Sequence, residues 1–554
     1  MIITKLLLLL FTKIIKAKLI HKLPFYLKLN IFKMKHSVFR AKFNSLLANP
    51  NALFYAIVGL IILLYFIINR TFLSGFHFAD DWELILFESE SLNSTQYLDL
   101  LKHYVKRDLD WRFRPFYYAH QIAMVYTLGL NFAVLSVYKI TLFCLSIKFF
   151  FTFLKNLNFQ FKECILFVLL IFIGPQMSIW WRLGPNESIA ILLLSISFYS
   201  ITSKKISFGV NNYLFISSLS LAALSKESFT IIIPAVVLLK IYIDSLTFKI
   251  SFGKSLRKNH LAVLPLIVML INLYIIIAIV GINNSSYCGV DLYSLKAMIL
   301  GVRDIILFNI YYFILLIGVL STAFYFVIKD EKEFIARMKI LSIPFIFCLL
   351  VVVPNVVLHA KSGMSGRFML PSTIGFSFLI VSFIHYLKKN ENWFKIFAIF
   401  ITLFLLIPPA THGLMHSYSF GKEGRSLKVL FNEIKKSDNS EVWLVADPIH
   451  NIEYFSSLDT YLTFYQNKTV IPIAGLINGQ FNSEKYSLNN QENDDLHTWY
   501  ENNEKYKANQ DSNPPQTILF LDSTQIKPFF KKFELKGDYA HNTNVKGVYL
   551  YELE

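Results

Sequence analysis

Repeated apolar runs constrain the fold of this chain more than any other feature of its sequence. The runs are about 18 to 25 residues long, which as helices at about 1.5 Å per residue matches the ~30 Å hydrocarbon thickness of a bilayer. Hydrophobic residues make up 55% of the 554 residues and charged residues only 16%. A soluble protein of this length needs more polar surface to cover its core. The pattern therefore predicts a polytopic α-helical membrane protein.

The N-terminal fifty residues predict the orientation of the chain. They contain ten lysines and arginines and no aspartate or glutamate. Positive charge before a first span is retained on the cytoplasmic side and also attracts anionic lipids. We therefore predict a basic, amphipathic cytoplasmic segment over residues 1–50, and we assign the net charge of +17 to contacts with membrane lipids rather than with nucleic acid.

Counting from a cytoplasmic N-terminus, the apolar runs predict about eleven spans over residues 51–415. Residues 73–118 then form the first external loop. The apolar stretch 117–154 is too long for one helix, so we predict an interfacial helix that ends near Asn131 and a span that follows it. Predicted internal loops such as KISFGKSLRKNH are rich in lysine and arginine, in agreement with the positive-inside rule. The prediction is a multi-pass protein of a bacterial inner or plasma membrane.

The composition changes after Met415. Residues 416–554 are more polar and contain a helical pattern, GRSLKVLFNEIKKSD, followed by four strand-like runs. The runs are EVWLVAD, KTVIPIAG, TILFLD and GVYLYELE. We predict a small α/β domain on the extracytoplasmic side.

Unusual polar residues collect on one predicted face of the membrane. The external clusters are FADDWE, DLDWRFRPFYY, WWRLGPNE, LSKES and HAKSGMSGRFMLP. Each alone has an ordinary explanation, because lysine and arginine reach from helix ends to the interface and carboxylates favour helix starts. Together, cations and carboxylates at a hydrocarbon boundary suit a substrate with an anionic headgroup and an apolar tail. A carboxylate there can also accept the proton of an attacking hydroxyl or amine, so transfer from a lipid-linked phosphate sugar fits the set.

The order and sidedness of these clusters resemble the GT-C superfamily of integral-membrane glycosyltransferases, which includes protein O-mannosyltransferases and aminoarabinose transferases. The acidic pair that this superfamily carries in its first external loop is matched by Asp80 and Asp81. An Arg-Pro element, a Lys-Glu turn and an arginine at the outer start of a late helix are matched by RFRPFYY, SKESFTIIIP and GRFMLP. The resemblance covers most of residues 50–415, whereas residues 416–554 carry no motif of a named subfamily.

The resemblance implies transfer of a hexose or pentose, with inversion, from a polyprenyl-phosphate donor to an extracytoplasmic glycan, lipid or protein acceptor. It implies that either Asp80 or Asp81 is the catalytic base, while the other orients the acceptor or a metal. The substrate-binding residues that it implies are cations for the lipid phosphate, namely Arg112, Arg114, Lys226 and Arg367, with Arg182 as a further candidate. Glu227 and Glu187 are implied to orient those cations. Because adjacent side chains point apart on a regular backbone, we expect no required cofactor, and Asp80 and Asp81 would be the ligands if a divalent metal binds.

Two other classes of membrane protein stay open at this point. A lipid-linked glycan polymerase or ligase also combines many spans with external arginines, but usually has a large late external loop. A transporter places charges near the bilayer midplane on broken helices or paired repeats. This sequence has few charges within its apolar runs and no visible repeat, which favours a glycosyltransferase.

Overall fold

The computed structural model describes most of the chain after residue 49. The described residues are 50–78, 81–93, 96–110, 112–203, 208–281, 331–359, 366–386, 392–436, 440–446, 452–474, 517–521, 539–545 and 548–553, with single positions 299, 303, 318, 523, 526, 527 and 530. The predicted segment 1–50, apart from Pro50, lies outside these residues, as does nearly all of the predicted span near 303–328. The chain divides into two compact units, Met1–Ile61 and Ile62–Glu554. All elements below belong to the second unit, except the first helix, of which only the last residue, Ile62, does.

The described part is mainly helical. Its α-helices are α1 (Pro50–Ile62), α2 (Trp82–Leu92), α3 (Tyr97–Asp108), α4 (Pro115–Leu128), α5 (Phe132–Asn156), α6 (Phe161–Phe172), α7 (Glu187–Thr202), α8 (Phe208–Ala223), α9 (Glu227–Thr230), α10 (Ile233–Phe248), α11 (Phe252–Lys258), α12 (Leu264–Tyr274), α13 (Glu331–Leu358), α14 (Leu370–Tyr386), α15 (Asn392–Leu405), α16 (Ile407–Lys436) and α17 (Ile452–Thr460). Short 3-10 helices cover Thr71–Leu73, Pro175–Trp180, His260–Val263 and Gly366–Met369. Wider π-helical turns cover Leu63–Ile68, Ile275–Gly281 and Tyr461–Tyr465.

Within the described ranges, six helical stretches are long and apolar enough to cross a membrane. They are Asn51–Ile68, Phe132–Asn156, Glu227–Phe248, His260–Val280, Leu341–Leu358 and Gly366–His385. The apolar helix α7 is shorter. These helices confirm the coarse prediction of a helical membrane protein with several spans. The count of about eleven spans and the predicted orientation stay predictions.

The predicted break in the apolar stretch 117–154 is present, and local residues explain it. Pro115 is the first residue of α4, where its missing N–H costs no hydrogen bond. Gly129 ends this helix with a positive φ of 65°, a conformation that glycine adopts without strain. The side chain of Asn131 then accepts hydrogen bonds from the backbone N–H groups of Ala133 and Val134 and so caps α5.

A hydrophobic cluster joins the helices of the predicted first loop to the C-terminal part of the chain. Phe87 of α2, Tyr104 of α3 and Ile122 of α4 belong to the same buried cluster as Leu430 of α16 and Leu519 of a C-terminal strand. Burying such side chains stabilises the fold by about 1.5–3 kcal/mol each. The cluster therefore fixes the ends of α2, α3 and α4, which carry the polar side chains described below.

Two glycines bring α16 against the backbone of residues 69–77. A Cβ atom added at Gly421 would overlap the carbonyl oxygen of Asn69, and one at Gly424 would overlap that of Ser74. The side-chain amide of Asn69 donates to the hydroxyl of Ser417 and to the carbonyl oxygen of Leu414, 3.3 Å away. This close approach is available to glycine because it has no side chain.

Five strands, β1 (Glu441–Ala446), β2 (Thr469–Ala474), β3 (Thr517–Phe520), β4 (Tyr539–Val545) and β5 (Val548–Leu553), form one mixed sheet in the order β2-β1-β3-β5-β4. β1 pairs in parallel with β2 and β3, and β5 pairs antiparallel with β3 and β4. The four predicted runs coincide with β1, β2, β3 and β5. The sequence of β4, YAHNTNV, lacks apolar alternation, so its pattern does not predict a strand. Helix α16 continues through the predicted boundary at 415/416, and the domain limits 51–415 and 416–554 stay predictions.

Candidate active site

A cavity of about 250 Å³ lies where several distant segments of the chain meet. Its walls come from the start of α2, the connection between α3 and α4, the turns before α7 and α9, and the segment around Arg367. The basic lining residues are Arg107, Arg112, Arg114, Lys226 and Arg367, and the carboxylates are Glu83, Asp108 and Glu227. The excess of cations over carboxylates favours an anionic ligand.

One buried carboxylate serves two of these cations. Glu187, 1% exposed, forms an ion pair with Lys226, and its Oε1 lies 3.6 Å from Nε of Arg367. The ring of Phe368 lies beside both cations, with its centroid 4.9 Å from Nζ of Lys226 and 5.5 Å from Cζ of Arg367. Burial lowers the pKa of Lys226, and the charge of Glu187 acts in the opposite direction. Glu187 supplies one negative charge against the two positive charges of Lys226 and Arg367. This group therefore retains one excess positive charge at the cavity.

Arg114 is held by a second carboxylate of the lining. Its Nε lies 3.2 Å from Oδ2 of Asp108 and its Nη2 lies 2.5 Å from Oδ1, a bidentate pairing that fixes the plane of the guanidinium. The hydroxyl of Tyr118 also donates to Asp108, at 3.2 Å. Burial by itself lowers the pKa of Arg114, but Asp108 and Tyr118 outweigh burial and raise it well above its usual value. Arg114 is therefore a permanent, rigid cation.

Two glutamates of the lining differ in their hydrogen bonds. Glu83 accepts a hydrogen bond of 3.0 Å from the hydroxyl of Tyr117 and lies 3.9 Å from Nη2 of Arg107. Glu227 is 5% exposed, and its Oε1 is buried without a hydrogen-bond partner in the described part of the chain. A buried carboxylate oxygen without a partner is costly. Glu227 is therefore suited to accept a hydrogen bond, or a proton, from a ligand.

His359 adds a neutral polar group to the wall. Burial, followed by the charge of Lys226, lowers the pKa of His359 to about 3, so the imidazole is uncharged at neutral pH. Neither ring nitrogen has a hydrogen-bond partner among the described residues. A neutral imidazole can donate one hydrogen bond to a ligand and accept another.

This buried histidine gives the folded state a specific dependence on pH. The unfolded histidine binds a proton below about pH 6.5, whereas the folded one does so only near pH 3. The unfolded state therefore binds more protons in this window, and stability falls as the pH decreases. When the pH is lowered from 7.5 to 5, we expect the free energy of unfolding to decrease by about 2 kcal/mol less in His359→Asn than in the original protein. Denaturant unfolding at the two pH values measures this difference, with exposed His103→Asn as the control. Equal losses for the original protein and His359→Asn would contradict a neutral, buried ring.

Hydrogen bonds from buried side chains hold the turns that form the cavity. Nζ of Lys139, a fully buried residue of α5, donates to the carbonyl oxygen of Pro185 at 2.8 Å and to Oγ of Ser188 at 2.6 Å. Nδ2 of Asn186 donates to the carbonyl oxygen of Ser225 at 2.7 Å, which joins the turns before α7 and α9. Asn355 similarly donates to the carbonyl oxygen of Phe368 at 3.1 Å. The cations thus project from turns that are fixed on several sides.

The structure brings most of the predicted binding residues together. Arg112, Arg114, Lys226, Glu227 and Arg367 line the cavity, and Glu187 supports two of them. Their roles in binding stay predictions. In contrast, Arg182 does not line the cavity, and its Nε is buried without a hydrogen-bond partner among the described residues.

The structure describes one of the two predicted catalytic aspartates. Asp80 lies outside the described residues. Asp81 is 3% exposed and precedes α2, where its Oδ2 accepts a hydrogen bond of 3.0 Å from the backbone N–H of His77. It is not part of the cavity lining. In the described part of the chain, no three His, Cys, Asp or Glu side chains are grouped so that they could hold a metal ion, and the use of a metal stays untested.

Sequence reasoning missed several lining residues. The main ones are Trp82, Glu83, Arg107, Asp108, Tyr117, Tyr118, Asn186, His359 and Phe368. Most of them lie inside the polar clusters quoted from the sequence. The clusters therefore predicted which segments form the site, but not which side chains line it. For example, Glu83 lines the cavity, whereas Asp81, two residues earlier, does not. Which of the two side chains faces the cavity depends on the residue at which α2 begins, and the sequence does not show that residue.

Comparisons with known proteins add a structural similarity. No protein-family model matches the chain, and no curated protein matches it. The structure of ArnT from Cupriavidus metallidurans bound to undecaprenyl phosphate matches 90% of this chain and 97% of its own, at 10% identity and a TM-score of 0.46. The structure of the same protein in the apo state matches 90% and 98%, at 12% identity and a TM-score of 0.46.

Proposed function

We propose that this protein is a membrane glycosyltransferase of GT-C type, which moves a sugar from a polyprenyl-phosphate donor to an extracytoplasmic glycan, lipid or protein acceptor. The observation that carries the proposal is the sharing of Glu187 by Lys226 and Arg367. The shared carboxylate leaves excess positive charge in a cavity that also contains carboxylates. Phosphate needs such charge, and a proton-transfer step needs a carboxylate.

The reaction follows from these groups. The bond between the anomeric carbon and the phosphate oxygen breaks, and its electron pair leaves with the phosphate. Lys226, Arg367 and Arg114 stabilise the negative charge that develops there. A hydroxyl or amine of the acceptor forms the new bond from the opposite face of the sugar, which inverts the anomeric carbon. Its proton passes to a carboxylate of the protein.

Three carboxylates are candidates for this proton. The family resemblance assigns the base to Asp80 or Asp81, and the geometry of the described residues adds Glu227, since its Oε1 is buried and lacks a partner there. A base raises transfer rates by about 10²–10⁴-fold. We therefore expect one of Asp80→Asn, Asp81→Asn and Glu227→Gln to lose transfer by that factor while still binding the donor.

The test is transfer of a radiolabelled sugar from polyprenyl phosphate by the purified protein in lipid nanodiscs, together with donor binding by the same variants. The acceptor is supplied as the envelope glycans and lipids of cells that lack the protein. Asp244→Asn is a matched control, because Asp244 pairs with Lys240 at 3.0 Å and does not line the cavity. Full transfer by all three test variants would exclude these carboxylates as the base. If the original protein transfers no sugar from any polyprenyl-phosphate donor, the proposed function itself is wrong.

A further inference from the structure

A second cavity, of about 470 Å³, has no part in the chemistry above. It lies between residues 72–76, the turn before α5, the C-terminal half of α16 and the segment 461–466. It shares no lining residue with the first cavity. Its volume lies in the range of about 300–1,000 Å³ that is usual for small-molecule sites. We call it the aromatic cavity, after the rings of Phe76, Phe132, Phe431, Tyr461 and Tyr465 that line it.

These rings form a connected aromatic surface. The ring centroid of Tyr461 lies 4.0 Å from that of Phe431, 4.6 Å from that of Phe76 and 4.9 Å from that of Tyr465. Tyr465 is 49% exposed, so part of its surface is open to a ligand. A flat aromatic face packs well against the C–H groups of a sugar ring, because those groups are apolar.

A partly buried side-chain amide at the same cavity has an acceptor oxygen without a hydrogen-bond partner in the described part of the chain. Nε2 of Gln466 donates a hydrogen bond of 2.9 Å to the carbonyl oxygen of Phe431, which fixes the direction of the amide. Its Oε1 is buried and has no hydrogen-bond partner among the residues described. Native proteins satisfy nearly all such atoms. A ligand hydroxyl would supply the missing donor.

Two lysines add positive charge to this aromatic and amide surface. Lys428 and Lys435 line the cavity from α16. They are seven residues apart, which is about two helical turns, so both lie on the same face of the helix. Neither forms an ion pair with another described residue, whereas the adjacent Lys436 pairs with Glu433 at 2.9 Å. Lysine ammonium groups bind phosphate and carboxylate groups.

We propose that the aromatic cavity binds a saccharide that carries an acidic group, either phosphate or carboxylate. The rings hold the sugar face, Gln466 accepts from a hydroxyl, and Lys428 and Lys435 hold the acidic group. Under the proposed function this saccharide is part of the acceptor, but its binding does not depend on that function. The backbone connects the two cavities over a few residues, since Phe76 lines the aromatic cavity and Trp82 lines the first.

The test is equilibrium binding to the full-length protein in lipid nanodiscs, measured by titration calorimetry. The probes are glucose 6-phosphate, glucuronate, glucose and inorganic phosphate. We expect the two acidic sugars to bind at least ten-fold more tightly than glucose or phosphate. Tyr465→Ala is expected to weaken binding of glucose 6-phosphate about five-fold, and the double variant Lys428→Met, Lys435→Met at least ten-fold. The control Lys436→Met should change it less than two-fold.

Several outcomes would overturn the proposal. If phosphate binds as tightly as glucose 6-phosphate and Tyr465→Ala has no effect, the lysines bind simple anions only. If glucose binds equally well and the lysine variants have no effect, the site does not select an acidic group. Absence of binding by all four probes also contradicts it. Lys226→Met separates this site from the first cavity, because it should impair sugar transfer without changing the Tyr465-dependent binding.

A second measurement needs no variant. Acetylation of lysines in the original protein, followed by mass spectrometry, reports on access to Lys428 and Lys435, with Lys436 as an internal reference. Glucose 6-phosphate is expected to slow acetylation of Lys428 and Lys435 at least three-fold relative to Lys436. If glucose 6-phosphate does not change the acetylation rates of Lys428 and Lys435 relative to Lys436, the proposal is wrong. This result is independent of whether any substituted protein folds.

Discussion

Replacing Lys226 with methionine is expected to reduce sugar transfer about 100-fold or more while the protein still folds. In the original protein, Glu187 is shared by Lys226 and Arg367, and the group keeps one excess positive charge. Without Lys226, the remaining arginine and Glu187 neutralise each other. The departing phosphate then loses the charge that stabilises it. Transfer of a radiolabelled sugar from polyprenyl phosphate, in nanodiscs, measures the loss.

The second substitution at this group makes the prediction sharper. In the double variant Lys226→Met, Glu187→Gln, Arg367 no longer pairs with the carboxylate of Glu187, so the positive charge lost with Lys226 is restored. We therefore expect at least ten-fold recovery of transfer over Lys226→Met alone, a coupling that a double-mutant cycle reports directly. If the ion pair between Lys226 and Glu187 has only a structural role, no recovery is expected, because the single variant and the double variant both lack this ion pair.

Lys240 provides a matched control for this prediction. It is also a buried lysine that pairs with a carboxylate, Asp244, at 3.0 Å, but it does not line the cavity. Lys240→Met should destabilise the protein, since it leaves a buried carboxylate without its partner. The fraction that folds should nevertheless transfer sugar at close to the original rate. Similar losses of specific activity in Lys226→Met and Lys240→Met would show that the effect of Lys226 is general and not specific to the cavity.

The second large effect is expected at the glycines of α16. Gly421→Ala and Gly424→Ala each place a methyl group where the backbone carbonyl of Asn69 or Ser74 already lies. A rigid backbone cannot move aside as the end of a flexible side chain can, so we expect each variant to lose about 3 kcal/mol or more of stability. Thermal unfolding of the purified proteins, followed by tryptophan fluorescence, measures this loss.

Gly253→Ala is the control for these glycines. Gly253 lies in helix α11, and a Cβ atom added there would have no neighbour within 4 Å. Alanine favours a helix by about 1 kcal/mol over glycine, so this variant should be as stable as the original or slightly more stable. If all three alanine variants had the same thermal stability, the close contact described between α16 and residues 69–77 would be contradicted.

Local sequence signals were enough to predict many helices and strands. Pro115, Gly129 and Asn131 act on neighbouring residues, and they place the break between α4 and α5 close to its predicted position. The runs that became β1, β2, β3 and β5 carry their apolar pattern within a few residues. The polar sequence of β4 depends on pairing with β5, a long-range requirement of the sheet that its own residues do not reveal.

The candidate site shows the same division between local and distant causes. Four of the five basic lining residues could be predicted, because clusters of arginine and lysine are unusual beside apolar runs. The resemblance implied that Glu187 orients cations of the site, but local sequence could not show which ones, since Lys226 lies 39 residues away and Arg367 much farther along the chain. The position of Asp81 outside the lining depends on the hydrogen bond from His77, which exists only once the backbone turns before α2.

The contact of α16 with residues 69–77 also has a consequence for the order of events during synthesis. Asn69 and its partner Ser417 are 348 residues apart, so a ribosome working at ~5–20 residues per second needs roughly 20 to 70 s to produce the second after the first. Throughout that interval the newly made 69–77 segment lacks its native neighbour. The helices that follow it also wait for Leu430 and Leu519 to complete their shared cluster. Completion of this contact is therefore a late event in biogenesis, and a nascent chain released before α16 emerges cannot form it.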